Sequence, residues 1–272
     1  MNRPAVLLII CGIAERPRRW KEKNRVMPIK TDALIIRENN RIGENDRLIT
    51  ALTRERGVLQ ASVRGARKIT SRSGSGTSLL TYSTLTLTEG KNKWIVTDAK
   101  PQRVFFELRN EMSKVALAQY FCELAGVLAP REEPAEEALR LLLNALHFLS
   151  EGGREAALLK VTVEQRLLRL AGYCPDLNGC AVCGRPEGGM FLQPLRGTLL
   201  CTDHGSPSMD TLPLTAGAVA AWRYLTAAPE DKLFSVKLSE ESLQSLAAAS
   251  EYFLLSCLGR GFNTLDFYNS VK

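Results

Sequence analysis

Two short motifs constrain this chain more than any other feature. Cys180-Ala-Val-Cys183 and Cys201-Thr-Asp-His204 stand seventeen residues apart. Two ligands three positions apart on a tight turn can face the same tetrahedral ion. A glycine after each pair, Gly184 and Gly205, lets the chain turn back without strain. Two such pairs supply four ligands and leave no open coordination position. The spacing therefore predicts one structural zinc ion per chain, not a catalytic one. Cys174, six residues before Cys180 and followed by Pro175, is the alternate fourth ligand if His204 is not used. A redox pair is disfavoured, because no strand-to-helix thioredoxin pattern surrounds Cys180.

The same residues argue against catalysis. Zinc deaminases pair P-C-x-x-C with H-x-E, where the glutamate shuttles protons. The chain has two histidines. His147 is followed by Phe148-Leu149 and His204 by Gly205-Ser206, so neither supplies that glutamate. H-E-x-x-H is absent, as is the G-x-x-x-x-G-K-[ST] phosphate loop, so ATP use is not indicated. His147 lies on an apolar helical stretch and is read as core or helix-edge packing. The expectation is a protein without enzymatic activity.

Upstream, the pattern is that of strands. Ala33-Leu-Ile-Ile36 is a short apolar run. Asp46–Thr53 follows a Gly43-Glu-Asn turn, and Gly57 separates it from Val58–Val63. Leu79–Thr88 alternates at period two, with Tyr82, Thr84, Thr86 and Thr88 on one face and Leu85 and Leu87 on the other. Trp94–Thr97 completes the set. Five short strands joined by glycine turns fit a small closed barrel. From residue 103 the period becomes helical, down to Ala129-Pro130. A second helix opens at Pro134-Ala-Glu-Glu137 and stops at Gly152-Gly153, and a third covers roughly 154–171. Two more occupy 215–228 and 239–258. Their apolar stripes read as the core of a helix bundle.

Charge divides along the same line. Residues 1–26 carry seven basic and two acidic residues, net +5; residues 27–110 carry fifteen and eight, net +7; residues 111–272 carry fourteen and nineteen, net −5. The asymmetry is read equally well as solvated surface charge and as a polyanion partner for the first part only. Within it, residues 61–80 hold Arg64, Arg67, Lys68 and Arg72 and no acid. Basic residues at a strand end and in a Gly/Ser loop suit phosphates, which are bound without regard to base. Arg37, Arg41 and Arg47 extend the patch. Tyr82 and Trp94 are read equally well as stacking platforms for bases and as barrel packing.

The seven cysteines are an odd number, and four of them lie within 174–201; Cys11, Cys122 and Cys257 are scattered. This is not a secreted disulfide framework, and a reducing cytosol is expected. No apolar run approaches the roughly 20 residues a membrane helix needs. Ala5–Ala14 faintly resembles an export signal, but Glu15-Arg-Pro-Arg-Arg-Trp20 follows where a cleavage region would stand. Residues 1–26 are therefore read as a disordered extension, or as the product of a start assigned upstream of Met27.

Several stretches together resemble the bacterial RecO family. They are Lys30-Thr-Asp-Ala-Leu-Ile-Ile-Arg37, Gly43-Glu-Asn-Asp-Arg-Leu-Ile-Thr50, Thr53-Arg-Glu-Arg-Gly57, Arg64-Gly-Ala-Arg-Lys68, Gly172-Tyr-Cys-Pro-Asp-Leu177 and the cysteine pairs. They run in the family's order from Met27 to about residue 268. The resemblance implies an α+β multidomain chain: an N-terminal OB-type β-barrel followed by an α-helical domain carrying a zinc-binding insert. The corresponding segments are a barrel over 27–102, helical parts over 103–172 and 211–272, and the insert over 173–210. It implies a cytoplasmic, nucleoid-associated recombination mediator that binds single- and double-stranded DNA and anneals complementary strands. It also implies help in loading recombinase, with RecR and single-strand DNA-binding protein as partners, and no small-molecule substrate. Residues 1–26 have no counterpart in the family, and Cys174 stands where cysteine is not required. The alternative from another class is a zinc-ribbon transcription regulator or adaptor; a zinc hydrolase or deaminase ranks third.

Overall fold

A computed structural model describes residues 27–39, 45–68, 71, 73–90 and 93–272; the first 26 residues, the Gly43 turn, Arg41 and Arg72 lie outside them. The apolar run Ala33–Ile36 sits in β1 (Ile29–Asn39) and is buried on both faces. Ala33 and Ile35 point into the barrel, while Leu34 and Ile36 point outward into a core shared with the helices. A strand covered on both sides needs no polar alternation, which is why this one reads as a continuous run.

β1 is joined by β2 (Arg47–Thr53), β3 (Gly57–Val63), β4 (Thr81–Glu89) and β5 (Trp94–Val104) in a closed barrel of order β1-β2-β3-β5-β4. The β3–β5 pair is parallel and the others antiparallel, a five-stranded barrel of OB type. In β4, Thr81, Ser83, Leu85 and Leu87 are buried, and Tyr82, Thr84, Thr86 and Thr88 lie on the more open face, as the alternation predicts.

The helical period read from residue 103 does not hold there. β5 continues to Val104, which pairs with Thr81, and a 3₁₀ turn over Phe106–Asn110 precedes the first α-helix at Met112. Register shifts at Tyr82/Ser83 and Thr86/Leu87 break the alternation that would have announced so long a strand. Its end is decided by cross-strand pairing and not by local pattern.

The helices are α1 (Met112–Leu128), α2 (Glu136–Glu151), α3 (Ala156–Leu170), α4 (Ala216–Ala227), α5 (Glu240–Leu258) and α6 (Asn263–Val271). Thr215 and Ser239 cap α4 and α5 by accepting the N–H groups of Ala218 (3.1 Å) and Ser242 (3.3 Å). The sequence reading lacked α6, a nine-residue helix that packs on α1 through Leu265 and Tyr268. Among the described residues, no helix is long and apolar enough to cross a membrane.

α3 runs through the middle of this domain, and every residue from Leu158 to Leu168 is buried. Its polar side chains are all partnered. Lys160 Nζ lies 2.7 Å from Glu164 and 2.8 Å from Glu251. Tyr120 and Ser250 donate to Glu164 at 2.8 and 2.5 Å, and Gln165 bonds Ser250 and Trp222 at 2.7 and 2.8 Å. Burial alone would lower the Lys160 ammonium, but the two carboxylates raise it above its ordinary value.

A small sheet lies between α3 and α4: β6 (Asp176–Cys180), β7 (Met190–Gln193), β8 (Thr198–Cys201) and β9 (Leu212–Leu214), in the order β6-β8-β7-β9. Its Leu177, Met190, Leu192, Leu199 and Leu214 belong to the same core as the helices. The barrel joins the helices at Gly57, whose φ is +55°. Val58 N–H donates to the Pro130 carbonyl at 2.8 Å, and a Cβ on residue 57 would stand 2.1 Å from that oxygen. Only glycine fits.

Truncating Glu164 to Ala leaves the buried Lys160 with one carboxylate and strands Tyr120 and Ser250. A loss of about 3–5 kcal/mol in urea unfolding is expected. A loss under about 1 kcal/mol would mean that apolar packing alone holds α3.

Candidate metal centre and nucleic-acid interface

The four ligand candidates converge. Cys180 closes β6 and Cys201 closes β8, so the parallel β6–β8 pairing places the two tight turns side by side. In the first turn Gly184 N–H returns to the Cys180 carbonyl at 2.8 Å, with Gly184 at φ +75°. In the second, His204 and Gly205 N–H groups return to the Cys201 carbonyl at 3.0 and 2.8 Å. The ligand atoms all lie within 4.8 Å of one another. Cys183 Sγ is 3.8 Å from Cys201 Sγ, and His204 Nδ1 is 3.2 Å from Cys201 Sγ and 3.7 Å from Cys180 Sγ. A tetrahedron with zinc–ligand bonds near 2.0–2.3 Å has edges of roughly 3.5–3.8 Å. The donor set and its spacing therefore fit one tetrahedral ion, bound through Nδ1 of the histidine.

The electrostatics prepare a thiolate at Cys180 in particular, whereas Cys183, despite the Arg185 N–H, is raised by desolvation and by the neighbouring Cys180 and Cys201. Backbone N–H groups, Cys201's foremost, hold the Cys180 thiol down to about 6, so a thiolate is available at neutral pH. His204 is raised by its hydrogen bond to Cys201. Arg185, two residues after Cys183, and Asp203, within the Cys201–His204 turn, meet at 2.7 Å, linking the turns from outside. Cys174 is exposed and stays outside the cluster. His147 is far from it, at the edge of α2, 3.2 Å from the Arg103 guanidinium.

Arg223 on α4, which sequence reasoning passed over, locks this sheet to the helices. Its guanidinium donates to the carbonyls of Leu177 (2.6 Å), Pro186 (2.7 Å) and Asn178 (3.4 Å). No local pattern marks it out, because its partners lie 37 to 46 residues away.

On the barrel, Arg64, Arg67 and Lys68 are all exposed in the turn after β3. Asp46 builds that turn by accepting the Gly65 N–H at 2.8 Å, and Arg67 N–H donates to the Asn45 carbonyl at 3.1 Å. Arg37 is exposed on β1. Arg47 is turned the other way. Its guanidinium lies 3.6 Å from Glu38 and donates to the Gly74 carbonyl at 3.0 Å and to Thr77 and Ser78 at 3.3 Å, fastening the 73–78 turn to the barrel. Both candidate stacking rings pack: Trp94 on the barrel core with Arg56 over its face at 6.0 Å, Tyr82 on the helical core. Burial, with the Asp32 carboxylate, raises the Tyr82 phenol.

Two family models match in tandem. Residues 27–105 match the one described as "Recombination protein O N terminal" and residues 109–266 the one described as "Recombination protein O C terminal". Similar curated proteins carry the description "DNA repair protein RecO". One from Acetivibrio thermocellus is 30% identical over 244 residues, covering 89% of this chain and 97% of its own. One from Roseiflexus is 32% identical over 245 residues, covering 89% and 86%. One from Heliobacterium modesticaldum is 36% identical over 229 residues, covering 80% and 81%.

Replacing Cys201 with Ser is expected to abolish retention of a stoichiometric divalent ion and to loosen the small sheet, since metal binding at such a site is coupled to folding. Cys174→Ser should leave metal content at wild-type level. Mass spectrometry under native conditions reads both; a Cys201→Ser protein that keeps its ion would rule out this ligand set.

Proposed function

The chain belongs to the RecO family, and from that membership we propose that it is a DNA-binding recombination mediator. It acts in DNA repair, pairs complementary strands and assists recombinase loading together with RecR and single-strand DNA-binding protein. The observation that carries this reading is the tandem match over both the barrel and the helical domain, 27–105 and 109–266. The exposed turn Arg64–Lys68, braced by Asp46 at the end of the barrel, is the proposed phosphate contact. Arg37 borders it. Phosphate contacts carry little sequence information, so binding is to DNA in general. No small-molecule turnover is part of the reading.

The ion in the Cys180/Cys183/Cys201/His204 site is zinc in this reading, because three thiolates and one imidazole in a closed tetrahedron suit that metal. Its role is structural. It ties together the two turns of a sheet whose apolar face lies in the helical core.

Changing Arg67 and Lys68 together to Ala should weaken binding of a labelled single-stranded oligonucleotide irrespective of its sequence. The slope of log affinity against log salt should flatten by about 0.7 per lost contact. Metal content and melting temperature should hold, since exposed charges contribute little to folding. A fluorescence strand-annealing assay should slow in parallel. Unchanged affinity, slope and annealing would remove this turn from the DNA site.

A further inference from the structure

The helical domain carries an open cleft of about 680 Å³ that neither the metal site nor the basic turn uses. One face of α5 contributes to it at every turn from Glu240 to Leu255. That stretch is about 22 Å long at 1.5 Å per residue. The start of α3, the end of α6 and Leu212 of β9 complete the lining. Apolar side chains in it stay open to water: Tyr252 is 46% exposed, and Leu212, Ala247 and Leu255 are half-buried. An apolar surface of this kind with charge along its rim is the mark of a contact site.

The charge along that rim is negative. Glu155 and Glu240 are exposed and make no ion pair among the described residues. Lys160 is held between Glu164 at 2.7 Å and Glu251 at 2.8 Å, so the trio carries one net negative charge. Lys272 is the other cation in the lining, and it is occupied with Asn269 at 2.8 Å. Tyr268 supplies the independent sign of a ligand. It lines the cleft and is 5% exposed, yet its hydroxyl has no hydrogen-bond partner among the described residues. A phenol so nearly buried ordinarily has one. A free acceptor for an N–H group thus stands in the same cleft as the Glu251 carboxylate.

We propose that this cleft docks a basic amphipathic helix of a partner protein. Apolar side chains of that helix cover Leu212, Tyr252 and Leu255, and one of its lysines or arginines is anchored at the Tyr268 hydroxyl and Glu251. The length fits about four helical turns, more than a small molecule spans. Helix-in-groove recognition takes apolar anchors on one face of the incoming helix. The carboxylates at the rim fix the sign of the charges beside those anchors, since an acidic segment would set like charges against Glu155 and Glu240. The docking site goes beyond the DNA-binding reading and does not rest on it: no barrel residue lines the cleft.

The test titrates the full chain by calorimetry with a synthetic leucine–lysine amphipathic helix of about 18 residues and with its leucine–glutamate counterpart. The lysine peptide should bind one to one, and the glutamate peptide about tenfold or more weakly. Tyr268→Phe removes the hydroxyl and keeps the ring; it should weaken the lysine peptide about fivefold, the effect of one hydrogen bond. Glu155→Gln/Glu240→Gln should also weaken it, whereas Glu132→Gln/Glu133→Gln, outside the cleft, should not. A photo-crosslinker on the peptide should attach to α5 between Gln244 and Tyr252. Each variant should keep wild-type metal content and melting temperature. Absence of binding, preference for the glutamate peptide, or crosslinks elsewhere overturns the proposal. So does wild-type affinity in Tyr268→Phe, or an equal loss in the two glutamate double variants, which would make the attraction general surface charge.

Discussion

The buried pair of Lys160 and Glu164 on α3 is the interaction on which the helical domain depends. An ammonium and a carboxylate taken out of water are costly unless every remaining donor and acceptor is satisfied. Here they are: Glu251 takes the other side of Lys160, Tyr120 and Ser250 donate to Glu164, and Gln165 bridges Ser250 to Trp222. Because these partners come from α1, α4 and α5, the network fixes the position of four helices with directional bonds. An apolar interface would tolerate sliding; a set of hydrogen bonds 2.5–2.8 Å long in a low-dielectric interior does not.

Both candidate surfaces inherit their position from that arrangement. α1 is the support on which the outer residues of β1, Leu34 and Ile36, are packed. The barrel is thereby set against the helical domain, with Gly57 allowing the close approach to Pro130. The metal-binding sheet is attached to the same frame on another side, through its apolar residues and the Arg223 clamp. It shares its core with the helices, which is not how a freestanding zinc ribbon is built. An ion bound there would have a local task, holding two turns closed, while the exposed cations sit on and beside the barrel.

Much of this was readable from residue order alone. The ligand quartet, the strand parity of β4, and the helices over 215–228 and 239–258 are local properties, set within a few residues by spacing or side-chain period. The order of motifs from Lys30 to His204 pointed to the family before any geometry. Less was legible where the signal was diluted. β5 was cut short because two register shifts spoil its alternation, and α6 is too short to carry a strong period of its own.

The sequence by itself determined which residues gather at the candidate metal site, which elements are strands or helices over most of the chain, and which part carries the positive charge. Tertiary structure alone decided where the arginines point. Arg37 and Arg47 look equivalent in a list of basic residues. A bulge at Ile36 puts the first on the outer face, while Glu38 and the 73–78 turn draw the second inward. Arg131, more than 90 residues beyond Arg37, lines a cleft with it only because Gly57 lets the backbone of one domain lie against the other. Those outcomes rest on pairings between residues distant in the chain, and pairings of that kind leave no periodic trace in the sequence.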